Sequence, residues 1–264
     1  MNKHLVTIGL ATFLSFTARA EVPSHLKCLW SAYRNFKISA DHQKIVFPSG
    51  KILPYSDGNT DISKIDPLNL TSIEQMFLIP YPVGKKYSIP RRQERLRSSR
   101  YGRFFKALYG SSPASVEKDL VFVKWVDGSY VEFNKNHGAA KALSLVVKDL
   151  VLLLKDHPEY RKYLKSPLGG TYNWRHISQE QNLSMHSFGI AIDINLNYAD
   201  YWLWDGGPGA YRNRIPLDIV TTFEKHGFVW GGKWYHFDTM HFEYRPELLY
   251  SDGQCQTLFS DYKD

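Results

Sequence analysis

Two segments, SMHSFGIAID (residues 184–193) and DTMHFEYRP (residues 238–246), decide how the rest of the chain is interpreted. In the first, isoleucines alternate with Ala191 and Asp193, which predicts a half-buried β-strand with Asp193 on its polar face. In the second, residues 240–244 alternate in the same way, so His241 and Glu243 share one face of another strand. The pattern therefore puts a carboxylate and a histidine on polar strand faces.

Three side chains in these segments form a candidate metal site. His186, Asp193 and His241 offer two imidazole nitrogens and one carboxylate oxygen, and such a set leaves a fourth tetrahedral position on zinc for water. Asp238 is a candidate base for that water. Residues three apart on an uninterrupted strand point to opposite faces, so a turn or bulge is predicted between Asp238 and His241.

The same blocks carry a family resemblance. Three blocks follow one another in a fixed order: S-x-H-x-x-G-x-A-x-D at 184–193, W-G-G-x-W at 230–234 and D-x-M-H-F-E at 238–243. This order resembles the M15 family of zinc D,D-peptidases. The branch it most resembles holds D-alanyl-D-alanine carboxypeptidase-like proteins and L-alanyl-D-glutamate peptidases, and the resemblance spans about 119–246. It implies a D,D-peptidase/hedgehog-like fold, Zn²⁺ as cofactor and peptidoglycan stem peptides as substrate.

The resemblance also implies roles for residues around the ligands. Arg175 matches the family arginine that polarises the scissile carbonyl and stabilises the oxyanion, and the alternative is a solvated structural arginine. Ser184 matches a residue that binds a substrate carboxylate, or it makes only a local backbone hydrogen bond. Asp238 matches the catalytic carboxylate, the alternative being that it only orients a ligand. Glu243 is interpreted as a structural residue or as a partner of a ligand. Left outside the site are His176, His226 and His236, and most of the nearby tryptophans are expected in the core.

Regular patterns begin at Leu120. Residues 121–133, VFVKWVDGSYVEF, are two β-rich runs around Asp127-Gly128, which predicts a hairpin with a tight primed turn. Apolar residues recur at spacings of three and four from 139 to 154, which predicts a long helix, and a second helix is predicted over 216–226. We therefore expect an α+β fold, an antiparallel sheet with helices packed on one side.

The domain organisation predicted from these patterns has three parts. Residues 1–20 are a leader, residues 21–110 an irregular lead region without a long helical period, and residues 111–264 the peptidase-like domain. The run 85–106 within the lead region is basic and is opposed only by Glu94, so it is either a solvated helix face or a dock for anionic wall polymer or a membrane surface. Its cations are Lys85, Lys86, Arg91, Arg92, Arg95, Arg97, Arg100, Arg103 and Lys106.

The first twenty residues resemble a secretory signal peptide. Lys3 and His4 precede an apolar run that is too short to span a bilayer comfortably, and Ala18-Arg19-Ala20 forms a small-x-small cleavage signal. The alternative is an uncleaved anchor. Cleavage after Ala20 removes Lys3 and Arg19, so the formal net charge falls from +7 to +5. A basic exported protein in the periplasm or cell envelope suits anionic surroundings and makes nucleic acid an improbable partner.

The only two cysteines, Cys28 and Cys255, lie near opposite ends of the chain after cleavage. In an oxidising compartment such a pair forms a disulfide, and the alternative is two unpaired buried thiols. The sequence does not choose between them.

Together these features predict an exported zinc metallopeptidase that hydrolyses peptidoglycan stem peptides, with D-alanyl-D-alanine carboxypeptidase as the first choice. An L-alanyl-D-glutamate or other wall endopeptidase is the near alternative, because zinc ligation does not determine which bond is cut. A non-catalytic wall-binding module is a different class, which the presence of both Asp238 and Arg175 disfavours. A serine hydrolase is weaker still, because the chain has no G-x-S-x-G elbow.

Overall fold

The computed structural model describes residues 22–34, 36–177, 182–251 and 254–255. The predicted leader, 1–20, lies outside the described residues and remains a prediction. Within the described part of the chain, no helix is long and apolar enough to cross a membrane. Helices and antiparallel strands are both present, which confirms the α+β class.

The helices and strands are numbered in chain order. The α-helices are α1 (Ser24–Tyr33), α2 (Gly102–Tyr109), α3 (Pro113–Glu117), α4 (Ala139–Asp156), α5 (Arg161–Leu164) and α6 (Leu217–Glu224). The strands are β1 (Lys37–Ile38), β2 (Lys44–Val46), β3 (Ile52–Pro54), β4 (Leu120–Lys124), β5 (Tyr130–Asn134), β6 (Leu168–Gly170), β7 (Ala191–Asn195), β8 (Phe228–Trp230), β9 (His241–Tyr244), β10 (Tyr250–Ser251) and β11 (Gln254–Cys255).

A four-stranded antiparallel sheet, in the order β6-β7-β9-β8, is the centre of the C-terminal part. Helix α6 packs against β8, and Phe223 of α6 stacks on Phe242 of β9 with ring centroids 3.9 Å apart. The long helix α4 packs against α6 and the β4–β5 hairpin. Both predicted helices are therefore present, although α6 is shorter than the predicted span 216–226.

The prediction that β7 is half-buried is wrong. Every residue of this strand is buried, and Asp193 on the polar face is only 7 % exposed. The Asp193 side chain packs against His186, His241 and Gly169. The predicted start of β9 at Met240 also differs, since Thr239 and Met240 form a turn and the strand begins at His241.

The β4–β5 hairpin is present, but its predicted tight two-residue turn is wrong. The amide of Gly128 donates to the carbonyl of Trp125 (3.1 Å), and the amide of Trp125 donates to the carbonyl of Ser129 (2.8 Å). Gly128 has a φ of 92°, so it supplies the left-handed residue that ends a three-residue hairpin loop. Asp127-Gly128 therefore lies in the turn, as predicted, but the loop has three residues instead of the predicted two.

The lead region has more regular structure than its sequence predicted. It contains α1, α2, the small sheet β1-β2-β3 and two 3₁₀-helices, Glu74–Phe77 and Arg92–Ser98. Its buried apolar residues belong to one continuous hydrophobic cluster with those of the C-terminal part. Phe105 of α2, for example, contacts Phe188 with ring centroids 6.0 Å apart.

Cys28 of α1 and Cys255 of β11 form a disulfide, with Cα atoms 5.2 Å apart. The bridge joins the start of the lead region to the end of the described chain. Of the two alternatives that the sequence left open, the structure therefore has the disulfide and not the two unpaired thiols.

Candidate metal centre

The structure brings the three predicted ligands together. His186 lies on the 3₁₀-helix Met185–Phe188, while Asp193 of β7 and His241 of β9 are direct partners across the two strands. The Asp193 Oδ1 atom lies 2.8 Å from His241 Nδ1 and 3.2 Å from His186 Nε2. The two imidazole nitrogens are themselves 3.2 Å apart, and all three side chains are buried.

Each histidine turns a different ring nitrogen toward this cluster, and its other nitrogen has a fixed partner. His186 Nδ1 lies 2.5 Å from the carbonyl oxygen of Thr171, which can only accept a hydrogen bond, so Nδ1 carries the proton. His241 Nε2 lies 3.1 Å from Glu243 Oε2. Such partners fix the ring orientation and leave the nitrogens that face the cluster free of a proton in the neutral rings.

The donor set fits zinc. Two imidazole nitrogens and one carboxylate oxygen lie within 4.8 Å of one another, which is the ligand chemistry of a catalytic zinc site. Without an ion the three side chains pair with one another instead, and a metal has to displace the proton that His241 then carries. Burial opposes ionisation of Asp193, but His186 and His241 hold its pKa well below the usual range. Burial also opposes the charge of His241, and hydrogen bonds to Asp193 and Glu243 outweigh it and raise the pKa of His241 to about 10.

Asp238 lies beside the ligands because the chain turns between it and His241, as predicted. The amide of His241 donates to the backbone carbonyl of Asp238 at 3.3 Å across the turn Thr239–Met240. Asp238 Oδ1 is buried and has no hydrogen-bond partner within the described chain. Burial, and after it the charge of Asp193, raise the pKa of Asp238 to about 7.

The two glycines of the W-G-G-x-W block allow the backbone to pack closely around Asp238 and Trp230. A Cβ atom on Gly231 would lie 2.5 Å from the carbonyl oxygen of Asp238, and one on Gly232 would lie 2.2 Å from the ring of Trp230. Both contacts are too short for any side chain, so Gly231 allows the loop to pass against Asp238 and Gly232 allows it to pack on the Trp230 ring. The amide of Asp238 donates to the carbonyl of Gly231 at 3.1 Å.

A cleft of about 290 Å³ contains the three ligands, Asp238, Arg175 and Ser184. The Arg175 side chain is exposed, and its amide donates to Ser187 Oγ at 2.9 Å, which anchors its backbone beside the His186 helix. Ser184 Oγ accepts a hydrogen bond from the amide of His186 at 3.3 Å. The local hydrogen bond proposed as the alternative for Ser184 is therefore present, although the residue also lines the cleft.

Aromatic side chains also line the cleft. Tyr201, Trp202 and Trp234 line it, and His236 stacks on Trp202 with ring centroids 4.3 Å apart. His236, which the sequence analysis left outside the site, also lines the cleft. Its place between the two motif blocks was the only signal for it. Of the other two histidines, His226 hydrogen-bonds to Asp149 at 2.9 Å and is part of the α4–α6 contact.

A buried network of charges extends from His241 into the lead region. Arg100 Nη2 lies 2.6 Å from Glu243 Oε2, and Arg245 Nη1 lies 3.1 Å from Glu243 Oε1. Arg245 also pairs with Glu247, whose other oxygen accepts a 2.6 Å hydrogen bond from Tyr33 of α1. Burial opposes ionisation of Glu243, but the charges and hydrogen bonds around it hold its pKa well below the usual range.

The basic run is therefore not one solvated helix face. Arg100 is stacked on Trp234 at 5.0 Å from the ring centroid, and Arg97 is 8 % exposed. Arg97 donates to the carbonyl oxygens of Pro80 and Lys233 and pairs with Glu94. The solvent-exposed arginines of the run are Arg91, Arg92, Arg95 and Arg103.

The chain was also compared with known proteins. A family model described as D-alanyl-D-alanine carboxypeptidase matches residues 178–244. This segment belongs to the M15 peptidase family. The match confirms the resemblance and indicates a peptidase, hence a hydrolase. It covers less than half of the chain, and Arg175 and the lead region lie outside it. Neither the comparison with curated proteins nor that with solved structures found a match.

Proposed function

We propose that this M15 peptidase is an exported, zinc-dependent D-alanyl-D-alanine carboxypeptidase that acts on peptidoglycan stem peptides. The observation that carries the proposal is a pair of features in one cleft: three converging ligand atoms and, beside them, the buried and unpartnered Oδ1 of Asp238. A buried carboxylate oxygen without a partner costs free energy, so it marks a place where a ligand or substrate is expected.

In this proposal His186, Asp193 and His241 hold zinc. When bound, the ion acts as a Lewis acid toward a carbonyl and lowers the pKa of water. The hydrogen bond of His186 to Thr171 and that of His241 to Glu243 keep the ligand nitrogens aligned before the ion arrives. This preorganisation supports tight binding because little side-chain entropy remains to be lost.

Asp238 accepts the proton of the attacking water and returns it to the leaving amine. Its place in the cleft beside the three ligands suits both steps, since a carboxylate there can take up a proton and release it again. The exposed guanidinium of Arg175, in the same cleft, stabilises the negative charge that develops on the carbonyl oxygen. Ser184, whose hydroxyl caps the His186 helix, positions that ligand and faces the terminal carboxylate of the substrate.

Two features support export. The first is the leader-like sequence of residues 1–20. The second is the Cys28–Cys255 disulfide, a bond that persists in oxidising compartments and is rare in the cytosol. Sequencing the N-terminus of protein recovered from the envelope tests this part, and a chain that starts at Met1 and remains in the cytosol would contradict it.

Digestion of purified muropeptides tests the activity. The zinc-loaded protein should remove a terminal D-alanine from a pentapeptide stem, and mass analysis should show the loss of one alanine. The matched control is Asp238→Asn, which preserves size and should be inactive. Stem peptides split between L-alanine and D-glutamate would indicate the endopeptidase alternative. Zinc and muropeptide binding without any cleavage would indicate a binding module.

A further inference from the structure

An aromatic turn beside the cleft, residues 201–207, exposes large apolar side chains. Trp204 is 62 % exposed and Leu203 is 38 % exposed, whereas Tyr201 and Trp202 of the same turn line the cleft. The ring of Trp204 contacts that of Tyr201 edge to face, with ring centroids 5.2 Å apart. Aromatic surface therefore continues from the cleft to an exposed indole outside it.

Backbone contacts fix the aromatic turn to the segment of the candidate base. Tyr201 and Asp238 form an antiparallel bridge. The amide of Trp202 donates to the carbonyl of Phe237 at 3.0 Å. A ligand held by the aromatic turn would therefore keep a fixed position relative to Asp238.

The aromatic turn is also closed by its own hydrogen bonds. The amides of Trp204 and Asp205 donate to the carbonyl of Tyr201 at 2.9 and 3.0 Å, and the amide of Tyr201 donates to Asp205 Oδ2 at 2.8 Å. The amide of Gly207 donates to the carbonyl of Trp202 at 2.9 Å. Because these bonds hold the backbone that carries Trp204, a ligand that covers the indole has little backbone entropy to remove. A tryptophan held in this way offers a large contact area at a low entropic cost.

Polar groups next to the aromatic turn form two ion pairs whose charges balance. Asp205 pairs with Arg212, and Asp200 pairs with Arg214 at 3.1 Å. A cavity of about 540 Å³ is lined by Asp200, Arg212, Asn213 and Arg214. Its size lies in the range of ~300–1,000 Å³ that is typical of small-molecule sites. Walls with balanced charges suit an uncharged polar ligand better than an anionic polymer or lipid headgroup, which would need an excess of positive charge.

We propose that the aromatic turn and this cavity bind the sugar that carries the stem peptide, with the exposed indole of Trp204 as its platform. A pyranose ring has apolar C–H groups on one face and hydroxyl groups at its edge. The C–H face can pack on the electron-rich face of the indole, and the hydroxyl groups can reach the polar cavity. The sugar site rests on the proposed function, in which the peptide lies in the cleft. A fully extended stem of five residues spans about 17 Å, so its sugar stays close to the cleft.

The test compares one pentapeptide stem with and without its attached disaccharide as substrates of the zinc-loaded protein. The wild-type protein should have the lower KM for the substrate with the disaccharide. Trp204→Ala should raise that KM by roughly 3- to 10-fold with kcat unchanged, the scale of an aromatic stacking contact, and Trp204→Phe should retain part of the preference. KM for the bare peptide should change little. Phe122→Ala is the matched control, because it removes an aromatic ring that is 72 % exposed on β4.

A binding measurement separates the sugar site from the proposed activity. The peptide-free disaccharide should bind to the wild type and to zinc-loaded Asp238→Asn, and Trp204→Ala should weaken binding in both backgrounds. Such binding without cleavage of any stem would contradict the proposed function and leave the sugar site supported. Equal KM values for the two substrates in an active wild-type enzyme, or unchanged disaccharide binding in Trp204→Ala, would overturn the sugar site. So would a Trp204→Ala defect limited to the binding of uncharged lipid vesicles, which would indicate a membrane contact. The melting temperature of Trp204→Ala should be close to that of the wild type, because the ring is largely exposed.

Discussion

Arg100 of the lead region and Glu243 of β9 form a buried ion pair, with Nη2 and Oε2 2.6 Å apart. Glu243 is also the partner of His241 Nε2, so Arg100, which lies outside the matched segment, contacts the carboxylate that holds a candidate zinc ligand. Removing one partner of a buried pair leaves the other charge uncompensated and is costly. The lead region is thus physically coupled to the metal centre.

Replacing Arg100 with Gln should therefore lower zinc affinity, by roughly 10-fold or more, the scale of losing a hydrogen-bonded partner behind a ligand. Glu243 keeps Arg245, so the protein should still fold. Competition with a chelator of known affinity measures the change, and the melting temperature of the zinc-free protein checks folding. Arg92→Gln, exposed on the preceding 3₁₀-helix, serves as the control. Unchanged zinc affinity in a folded Arg100→Gln protein would show that Glu243 orients His241 without Arg100.

Reduction of the Cys28–Cys255 disulfide should lower the melting temperature while zinc stays bound. The bridge spans 227 positions, for which the chain-entropy model gives an upper value on the order of 5 kcal/mol. Tyr33 of α1 binds Glu247, but the ligands themselves lie on β7, β9 and the His186 helix. Thermal melts with and without reductant measure the effect, and the Cys28→Ser/Cys255→Ser variant should not respond to reductant. Equal melting temperatures for oxidised and reduced wild type would contradict the prediction.

The ligand cluster was predictable because its signals are local. The alternation around Asp193 and His241 fixed which side chains share a strand face, and the spacing of three forced a turn after Asp238. These are properties of a few consecutive residues. The family motif then linked the two segments, which strand periodicity alone could not pair.

The charge network could not be predicted in this way. Arg100 and Glu243 are 143 residues apart in sequence, and Tyr33 and Glu247 are 214 apart, so no periodicity joins them. A basic run looks the same in sequence whether its arginines face solvent or a buried carboxylate. The complete burial of β7 was missed because alternation identifies a polar face but does not show what packs on it, here His186, His241 and Gly169 against Asp193.

The lead region has a small exposed cationic cluster, which is a candidate dock for the anionic wall polymer or membrane surface considered above. Lys51, Arg103 and Lys106 form an exposed cationic cluster, close enough that burial and then the charges of Arg103 and Lys106 lower the pKa of Lys51. Changing all three to Gln should weaken binding to intact wall or to anionic vesicles, and the difference should shrink as salt screens the charges. Sedimentation at several salt concentrations measures it.

The control for the cationic cluster is a triple change at the exposed, separate residues Lys124, Lys148 and Lys155. This control removes the same total charge. If the cluster itself is the dock, the control should weaken binding less than the triple change at Lys51, Arg103 and Lys106 does. Turnover of a small soluble peptide should be the same in both triple variants. Equal loss of wall binding in both would mean that only the net charge matters.

Substitution of any ligand should remove zinc and activity together. His186→Ala, Asp193→Ala or His241→Ala each takes away one of three converging donor atoms. Metal analysis of the purified variants should show substoichiometric zinc, and chelator treatment of the wild type should abolish turnover reversibly. Tightly bound, stoichiometric zinc in all three variants would refute this ligand set.

Asp238→Asn should separate catalysis from metal binding. The change preserves size but removes the carboxylate that accepts a proton, so turnover should fall by roughly 10²-fold or more while zinc remains bound. The zinc-free variant should be at least as stable as the wild type at neutral pH, because it no longer buries a negative charge, one of whose oxygens has no partner, beside Asp193. Zinc content, turnover and the melting temperature of the zinc-free protein are the three measurements. If Asp238 instead only orients a ligand, zinc affinity should fall by roughly 10- to 100-fold and added zinc should restore part of the activity.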